Sequence, residues 1–217
     1  MIWICDMTNG ELYSGISALA ADIVAECAAR GVKISTAESC TGGMISGAVT
    51  SVSGSSAVIE LGVCSYSNRI KHELLRVDSG IFEKYTEYSV QCAEAMADGV
   101  RKLSGADFAV STTGVAGPTG GSAEHPVGEV CIAVSGADGC RGERFLFPGD
   151  REQVRAQAIG ALEALLAAPS VDRAVVAGQQ DRRHLYAVKG GRARVLRGFQ
   201  QAVGEAFAQG ARFGAQD

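Results

Sequence analysis

The segment STAESCTGGM, residues 35–44, concentrates hydroxyl and thiol side chains beside a pair of glycines. Ser39 or Cys40 could act as a nucleophile in covalent catalysis. If the segment joins a strand to a helix, unpaired backbone N–H groups at the helix N-terminus would stabilise negative charge, as in a phosphate site or an oxyanion hole. The alternative is structural, because serine and threonine cap helices and paired glycines allow close packing. These residues by themselves leave both interpretations open.

The two candidate nucleophiles need different bases. A catalytic cysteine usually needs a histidine, and the three histidines fall in a solvated-looking helix (His72), in a loop (His125) and near the C-terminus (His184). A serine can instead use a lysine whose pKa is lowered by burial. Lys71 follows a predicted strand in YSNRIK, at a strand end where ligands gather in α/β folds. It could equally be a solvated helix lysine.

Two further segments have features of a binding site. TTGVAGPTGG has four glycines within eight residues, which suits either backbone that approaches a ligand closely or a long connector. Arg151 and Arg155 lie one turn apart on one face of a predicted helix. They could bind a phosphate or carboxylate, or form a solvated face.

The elements that must position these residues are predicted from apolar periodicity. Helices are predicted from Leu12 to Cys27, through Met44 to Val49, over NRIKHELLRV with Ile70, Leu74 and Leu75 on one face, from an N-cap at Ser89 to Leu103, and from an N-cap at Asp150 to about Ala168. Strands are predicted at VKIST, AVIELGVCSYS, DFAVSTTG, EVCIAVS and ERFLFP, the last two antiparallel across GADGCRG. This alternation predicts a three-layer α/β/α domain with a mixed, mostly parallel sheet.

Composition and charge limit the classes of function. The chain has 217 residues and a net charge of −4, which gives no electrostatic reason to expect nucleic acid as a partner. Seven scattered cysteines without a C-x-x-C pair predict buried free thiols in a reducing cytosol, and no metal site. We recognise no signal peptide and no stretch long enough to span a bilayer, so a soluble, cytoplasmic protein without a membrane partner is expected.

A change in charge predicts a boundary after Pro169. Residues 170–217 have eight Lys/Arg against four Asp/Glu, whereas the first 169 residues have twelve against twenty. Within the basic extension, Leu196, Phe199, Val203 and Phe207 have helical spacing. We therefore divide the chain into residues 1–169, the functional domain, and residues 170–217, an appendage or subunit contact.

Four strings resemble, in this order, the C-terminal domain of the competence/damage-inducible CinA family: TAESCTGG, GSSAVIELGVCSYSNRIK, STTGVAGPTGGSAEHPVGEV and FPGDREQVRAQA. Together they extend over roughly residues 10–168. The fold of that family, three-layer α/β/α with a mixed sheet, agrees with the pattern above. Its stand-alone members are similar to nicotinamide-nucleotide amidases of the PncC type. The resemblance thus implies hydrolysis of nicotinamide mononucleotide (NMN) to nicotinate mononucleotide and ammonia, without metal or cofactor.

The resemblance also implies roles for particular residues. Ser39 corresponds to the serine nucleophile and Lys71 to the base. The implied substrate contacts are Thr41, Gly42, Gly43, Tyr66, Asn68, Thr113, Gly114, Gly117, Gly121, Arg151 and Arg155, with the phosphate-binding arginine left open. His125 stands where a lysine is expected, and Arg69 stands where an acidic residue is common. If the Arg69 side chain pointed inward, its charge could lower the pKa of Lys71.

Two functions from different classes remain possible at this stage. The first is an NMN amidase that acts on a small nucleotide and forms a homo-oligomer. The second is a non-catalytic nucleotide-binding or interaction module related to CinA, although such a binder would need neither Ser39 nor Lys71. A thiol enzyme based on Cys40 is a weaker alternative because it lacks an evident histidine partner.

Overall fold

The computed structural model describes residues 9–160. The helices are α1 (Asn9–Arg30), α2 (Met44–Thr50), α3 (Asn68–Leu75), α4 (Ser79–Tyr85), α5 (Val90–Ser104) and α6 (Arg151–Ala158). The strands are β1 (Ile34–Glu38), β2 (Ile59–Cys64), β3 (Phe108–Gly114), β4 (Glu129–Gly136) and β5 (Gly139–Leu146). The predicted boundary after Pro169, the helical spacing in the extension, the continuation of the last helix to Ala168, and His184 lie outside the described residues.

The five strands form one mixed sheet in the order β2-β1-β3-β4-β5. β1 pairs in parallel with β2 and with β3, whereas β4 is antiparallel to both β3 and β5. Every residue of β1 and nearly every residue of β3 is buried. This burial follows from helices on both faces of the sheet, which is the arrangement expected for parallel strands. The predicted mixed α/β fold is confirmed.

The helices form the two outer layers. On one face, α1, α2 and α6 pack on sheet residues that include Ile34, Val110 and Ile132. On the other face, α5 lies along β1, β3 and β4, and α3 and α4 pack against α5. The core is therefore divided between the two faces of the sheet, as the three-layer prediction requires.

Helix ends follow the local signals in the sequence. The Ser89 side chain accepts a hydrogen bond from the Cys92 backbone N–H at the start of α5. Asp150 and Gln153 form a reciprocal capping box at the start of α6. Gly31 ends α1 with φ at 66°, a left-handed conformation that glycine adopts without strain. The two N-caps, Ser89 and Asp150, were predicted correctly because they depend on contacts between near neighbours.

Two local predictions differ from the structure. The hairpin turn between β4 and β5 is two residues long, because the strands pair from Gly136 and Gly139 outward rather than flanking all of GADGCRG. The helix α4, which starts after the Asp78 N-cap, was not predicted. It has only seven residues, and its apolar residues Ile81 and Phe82 are only partly buried, so the segment is too short to show a helical period.

The helix α1 corrects the expectation that no segment could span a bilayer. It has 22 residues and, by length and composition alone, is apolar enough to cross a membrane. In this fold Leu19, Ile23 and Val24 are buried and belong to the core beneath the sheet. The apolar face of α1 is thus explained by packing on α2, α6 and the sheet.

Candidate active site

The parallel strands bring the predicted chemistry to one edge of the sheet. β1, β2 and β3 are neighbours that run in the same direction, so their carboxyl ends meet. The connection after β1 leads to α2 on one face of the sheet. After β2 the chain passes through α3, α4 and α5 on the other face of the sheet. In open α/β sheets such a divergence leaves a crevice beside the central strand.

A cavity of about 130 Å³ lies in this crevice. Six of the predicted site residues line it: Ser39, Tyr66, Asn68, Lys71, Gly114 and Arg151. Four lining residues were not among the predicted contacts: Cys40, Glu87, Tyr88 and Ala116. Glu87 and Tyr88 come from the connection between α4 and α5, where the only sequence signal is the adjacent N-cap serine.

Ser39 and Lys71 are in direct contact inside the cavity. The Lys71 Nζ lies 3.2 Å from the Ser39 Oγ and 3.4 Å from the Tyr66 carbonyl oxygen. Lys71 is only 1% exposed, although its side chain is cationic in water. Such a contact is within the range for direct proton transfer between a serine and its base.

The orientation of α3 differs from the amphipathic prediction. The predicted apolar face contained Ile70, Leu74 and Leu75, but Leu74 is 39% exposed. The buried face is formed instead by Lys71 and Leu75, which lie four residues apart on the same side of the helix. The interpretation of Lys71 as a solvated lysine is therefore wrong.

Burial lowers the pKa of Lys71 below its ordinary value of 10.5. The titratable groups around it, Cys92, Glu87 and Cys40 among them, act in the opposite direction, but burial outweighs them. The suggestion that Arg69 contributes is wrong, because Arg69 points to solvent and forms an exposed ion pair with Glu73. Desolvation, rather than a neighbouring cation, thus favours the neutral amine.

The turn between β1 and α2 is fixed from within by Glu38. This carboxylate is fully buried and accepts hydrogen bonds from the backbone N–H groups of Gly43, Ile45 and Ser46 at 2.9–3.0 Å. The Ser46 hydroxyl donates a further bond at 3.0 Å. Ser39 therefore lies before the helix, and the N-terminal amides of α2 are occupied by Glu38. They do not face the cavity as an oxyanion site, contrary to the sequence-based expectation.

Arg155 fixes the same turn from the other side. Its Nε donates to the Cys40 carbonyl at 3.1 Å, and its terminal nitrogen donates to the Thr41 carbonyl at 3.0 Å. The Thr41 hydroxyl bonds to the Thr112 hydroxyl at 2.7 Å, and the Ser39 N–H donates to the Thr112 carbonyl at 2.9 Å. Arg155 and Thr41 are consequently parts of the support of Ser39 and do not line the cavity.

Four further predicted contacts also lie outside the cavity. Gly42 and Gly43 have φ of 63° and 96°, which lets the turn close, but neither lines the cavity. The Thr113 hydroxyl points away and donates to the Glu87 carbonyl at 2.6 Å. Gly121 packs against Val127 outside the cavity.

The glycine-rich loop after β3 reaches the cavity at its start. A Cβ at Gly114 would lie 2.2 Å from the Glu129 carbonyl oxygen, so only glycine allows this close approach of β3 and β4. The Gly117 carbonyl accepts a bond of 2.7 Å from Arg151, which ties the loop to the start of α6. The other nitrogen of Arg151 lies 3.5 Å from the Tyr66 hydroxyl.

The Cys40 thiol does not have the environment of a nucleophile. It is 5% exposed, and burial raises its pKa to about 12. His72 is bonded to the Val77 carbonyl, while His125 contacts Thr86 and the buried Glu129. No group of three or more metal-ligating side chains occurs within residues 9–160.

Comparison with known proteins agrees with the resemblance noted from the sequence. The family model described as the CinA C-terminal domain matches residues 16–168. A CinA-like protein of Geotalea uraniireducens is 47% identical over 125 residues, which cover 58% of this chain and 30% of that protein. The chain thus spans about a third of the length of such relatives.

This chain matches a larger share of a shorter relative. The nicotinamide-nucleotide amidohydrolase PncC of Enterobacter agglomerans is 48% identical over 141 residues, covering 64% of this chain and 86% of that protein. Among solved structures, the competence/damage inducible protein CihA of Agrobacterium tumefaciens superposes with a TM-score of 0.69 at 40% identity. That match covers 70% of this chain and 94% of the other.

Proposed function

The chain belongs to the CinA C-terminal domain family, and on this premise we propose that it hydrolyses NMN to nicotinate mononucleotide and ammonia. The observation that carries the proposal is the 3.2 Å contact between the buried Lys71 Nζ and the Ser39 Oγ. A module that only bound nucleotides would gain nothing from a buried lysine against a serine, because burying an ionisable group without a counter-charge costs free energy. The similarity to a PncC amidohydrolase supports the same activity.

The proposed reaction uses one residue to move the proton and the other to form the covalent bond. Neutral Lys71 takes the proton of the Ser39 hydroxyl while the Oγ attacks the carboxamide carbon. The protonated lysine then gives this proton to the nitrogen, the C–N bond breaks, and ammonia leaves an acyl ester on Ser39. Water, activated by the same amine, adds to the ester and releases the carboxylate, which restores the serine hydroxyl.

The size of the cavity suggests how the nucleotide is held. At about 130 Å³ it is smaller than typical ligand pockets of roughly 300–1,000 Å³, so we assign it to the pyridine carboxamide. The ribose and phosphate would then lie at the open rim, where Tyr66 is 62% exposed. Arg151 lies at this rim beside Tyr66 and is our candidate for the phosphate contact. Arg155 is a poorer candidate because its guanidinium is used on the Cys40 and Thr41 carbonyls.

The direct test is ammonia release from NMN by the purified full-length chain. We expect ammonia and nicotinate mononucleotide in equal amounts, with no added metal, and none from the Ser39→Ala variant. Absence of turnover above that variant would contradict the proposal. Binding of NMN without turnover would instead favour the nucleotide-binding module.

A further inference from the structure

The connection between α4 and α5 places an acidic and an aromatic side chain in the wall of the cavity. Glu87 and Tyr88 both line it, together with Ser39 and Lys71. The proposed serine–lysine chemistry uses neither of them. Within the described part of the chain, the Glu87 carboxylate forms no ion pair with a lysine, arginine or histidine, and its neighbour is the Tyr88 hydroxyl, whose pKa is raised by burial and by the Glu87 charge and hydrogen bond.

This wall is held firmly by the sheet. The Glu87 carbonyl accepts a 2.6 Å bond from the Thr113 hydroxyl of β3, and the Tyr88 carbonyl accepts a 3.0 Å contact from the Cys131 thiol of β4. The Tyr88 ring lies against the His125 ring, with centroids 5.8 Å apart. The following residue begins α5 as its N-cap. The backbone of Glu87 and Tyr88 is therefore fixed by the sheet, and the Tyr88 ring by His125.

Glu87 is the charged group among the titratable neighbours that act on Lys71, while Arg151 adds a positive charge at the rim of the same cavity. The titratable groups that act on Lys71 are Cys92 of α5, Glu87 of the connection, Cys40 of the β1–α2 turn and Cys64 of β2. Burial raises the pKa of the Cys92 thiol to about 11 and that of Cys40 to about 12, and it also raises the pKa of Cys64. The thiols are therefore uncharged near neutral pH, which leaves the carboxylate as the charged neighbour of Lys71.

We propose that Glu87, with the ring of Tyr88 beside it, makes the cavity selective for carboxamides on a positively charged ring, such as an N-substituted pyridinium. The inference rests on the proposed amidase function and specifies the substrate class of the same site. A carboxylate without a cationic partner attracts a bound cation in a partly water-excluded cavity. Tyr88 lines the same wall, and an aromatic ring near a cation adds to this attraction. Neutral carboxamides of the same shape gain neither interaction.

The charge of Glu87 also affects the protonation of the proposed base, Lys71. The negative charge of Glu87 favours protonated Lys71, and a bound ring cation offsets that charge. Lys71 therefore loses its proton more readily when a cationic substrate is present. Glu87 acts here as a specificity and positioning residue rather than as a group in the bond-breaking steps.

Binding of two forms of one nucleotide tests the selectivity. NMN has a cationic ring, whereas its reduced dihydropyridine form has a neutral ring with the same amide, ribose and phosphate. Dissociation constants are measured by calorimetry in the Ser39→Ala background, which prevents turnover. We expect NMN to bind about ten-fold more tightly than the reduced form, a preference typical of one partly desolvated charge contact.

The variants isolate the charge of Glu87. Glu87→Gln should abolish the preference, whereas Glu87→Asp should retain part of it. Glu83→Gln is the matched control, because it removes the same charge from the exposed surface of α4 and should leave the preference unchanged. Melting curves show whether each protein is folded. If Glu87→Gln does not fold, Glu87→Asp still tests the inference, because its preference for NMN should be smaller than that of the native side chain.

The pH dependence provides an independent readout. In an otherwise native enzyme, Glu87→Gln should move the Lys71 limb of the kcat/KM profile to lower pH, because a negative neighbour has been removed. The inference is overturned if Glu87→Gln leaves the Lys71 limb of the pH profile unchanged, or if this variant keeps the ten-fold preference for NMN. In either case, ammonia release by the native enzyme still supports the amidase proposal. Failure of the native enzyme to release ammonia, with no binding of either form, overturns both.

Discussion

On one side of the turn after β1, ionisable side chains are bonded to the backbone of the turn, and on the other side they line a cavity. The packed side holds Glu38, which accepts three backbone N–H bonds, and Arg155, which donates to two backbone carbonyls. The cavity side holds Lys71, whose partners are a hydroxyl and a carbonyl, and Glu87, which forms no ion pair among the described residues.

This difference separates stability from reactivity. Buried charges contribute to a fold when every donor and acceptor is satisfied, as at Glu38, and an unpaired one destabilises it. Groups with perturbed proton affinity gather at functional sites because chemistry requires them. We infer that the packed side fixes the position of Ser39, whereas the cavity side gives it a base and a substrate.

The largest expected effect comes from the nucleophile. Ser39→Ala should lower kcat by about 10⁴-fold or more, because the covalent route is removed, while the melting temperature changes little. Ammonia release and thermal melting measure the two quantities. Cys40→Ala is the control and should keep most of the activity. An active Ser39→Ala with an inactive Cys40→Ala would transfer the nucleophile role to the thiol.

Replacement of the base should have the next largest effect. Lys71→Arg retains a positive charge but cannot give up a proton near neutral pH, so kcat should fall by about 10²–10⁴-fold. The remaining rate should not recover as the pH is raised from 7 to 10. Substantial turnover by this variant would remove Lys71 from the base role.

The two arginines of α6 allow a direct comparison of the two sides. Arg151→Ala should weaken NMN binding by roughly ten- to 150-fold, through loss of one charge-assisted phosphate contact. It should also remove the preference for NMN over nicotinamide riboside, which lacks the phosphate. Arg155→Ala should keep that preference and lower kcat instead, since the turn that holds Ser39 loses two bonds. If both variants retain the phosphate preference of the native enzyme, neither arginine binds the phosphate.

The smallest expected effect is on stability. Burial lowers the pKa of Lys71 in the folded state, so between that pKa and 10.5 the unfolded chain binds the additional proton. The native protein should therefore gain stability as the pH rises through this window, by at most about 1.4 kcal/mol per pH unit. Lys71→Met removes the penalty, and its advantage over the native protein should shrink as the pH rises toward 10.5. Urea unfolding of both proteins at matched pH measures this difference, and a constant difference from pH 6 to pH 10 would contradict the desolvation argument.

The sequence predicted well those features that depend on near neighbours in the chain. The strands that precede Ser39 and Lys71 follow from short apolar runs, and the caps Ser89 and Asp150 act within three residues of their partners. The exposure of individual residues on α3 was predicted poorly. The solvated alternative for Lys71 followed from its charge, whereas in the structure α3 packs against α5 and Lys71 is buried.

The sequence by itself determined the fold class and the family strings, because these are encoded in local order. The resemblance of those strings to the family then implied the two residues proposed for the chemistry. Only the tertiary structure decided which side of the turn each ionisable group faces. Arg155 reaches a carbonyl 115 residues earlier in the chain, and the Glu87 carbonyl is held by a hydroxyl 26 residues later. Contacts over such separations depend on how β1, β3 and the helices pack together, so no local pattern distinguishes Arg151 from Arg155 or reveals Glu87 in the cavity wall.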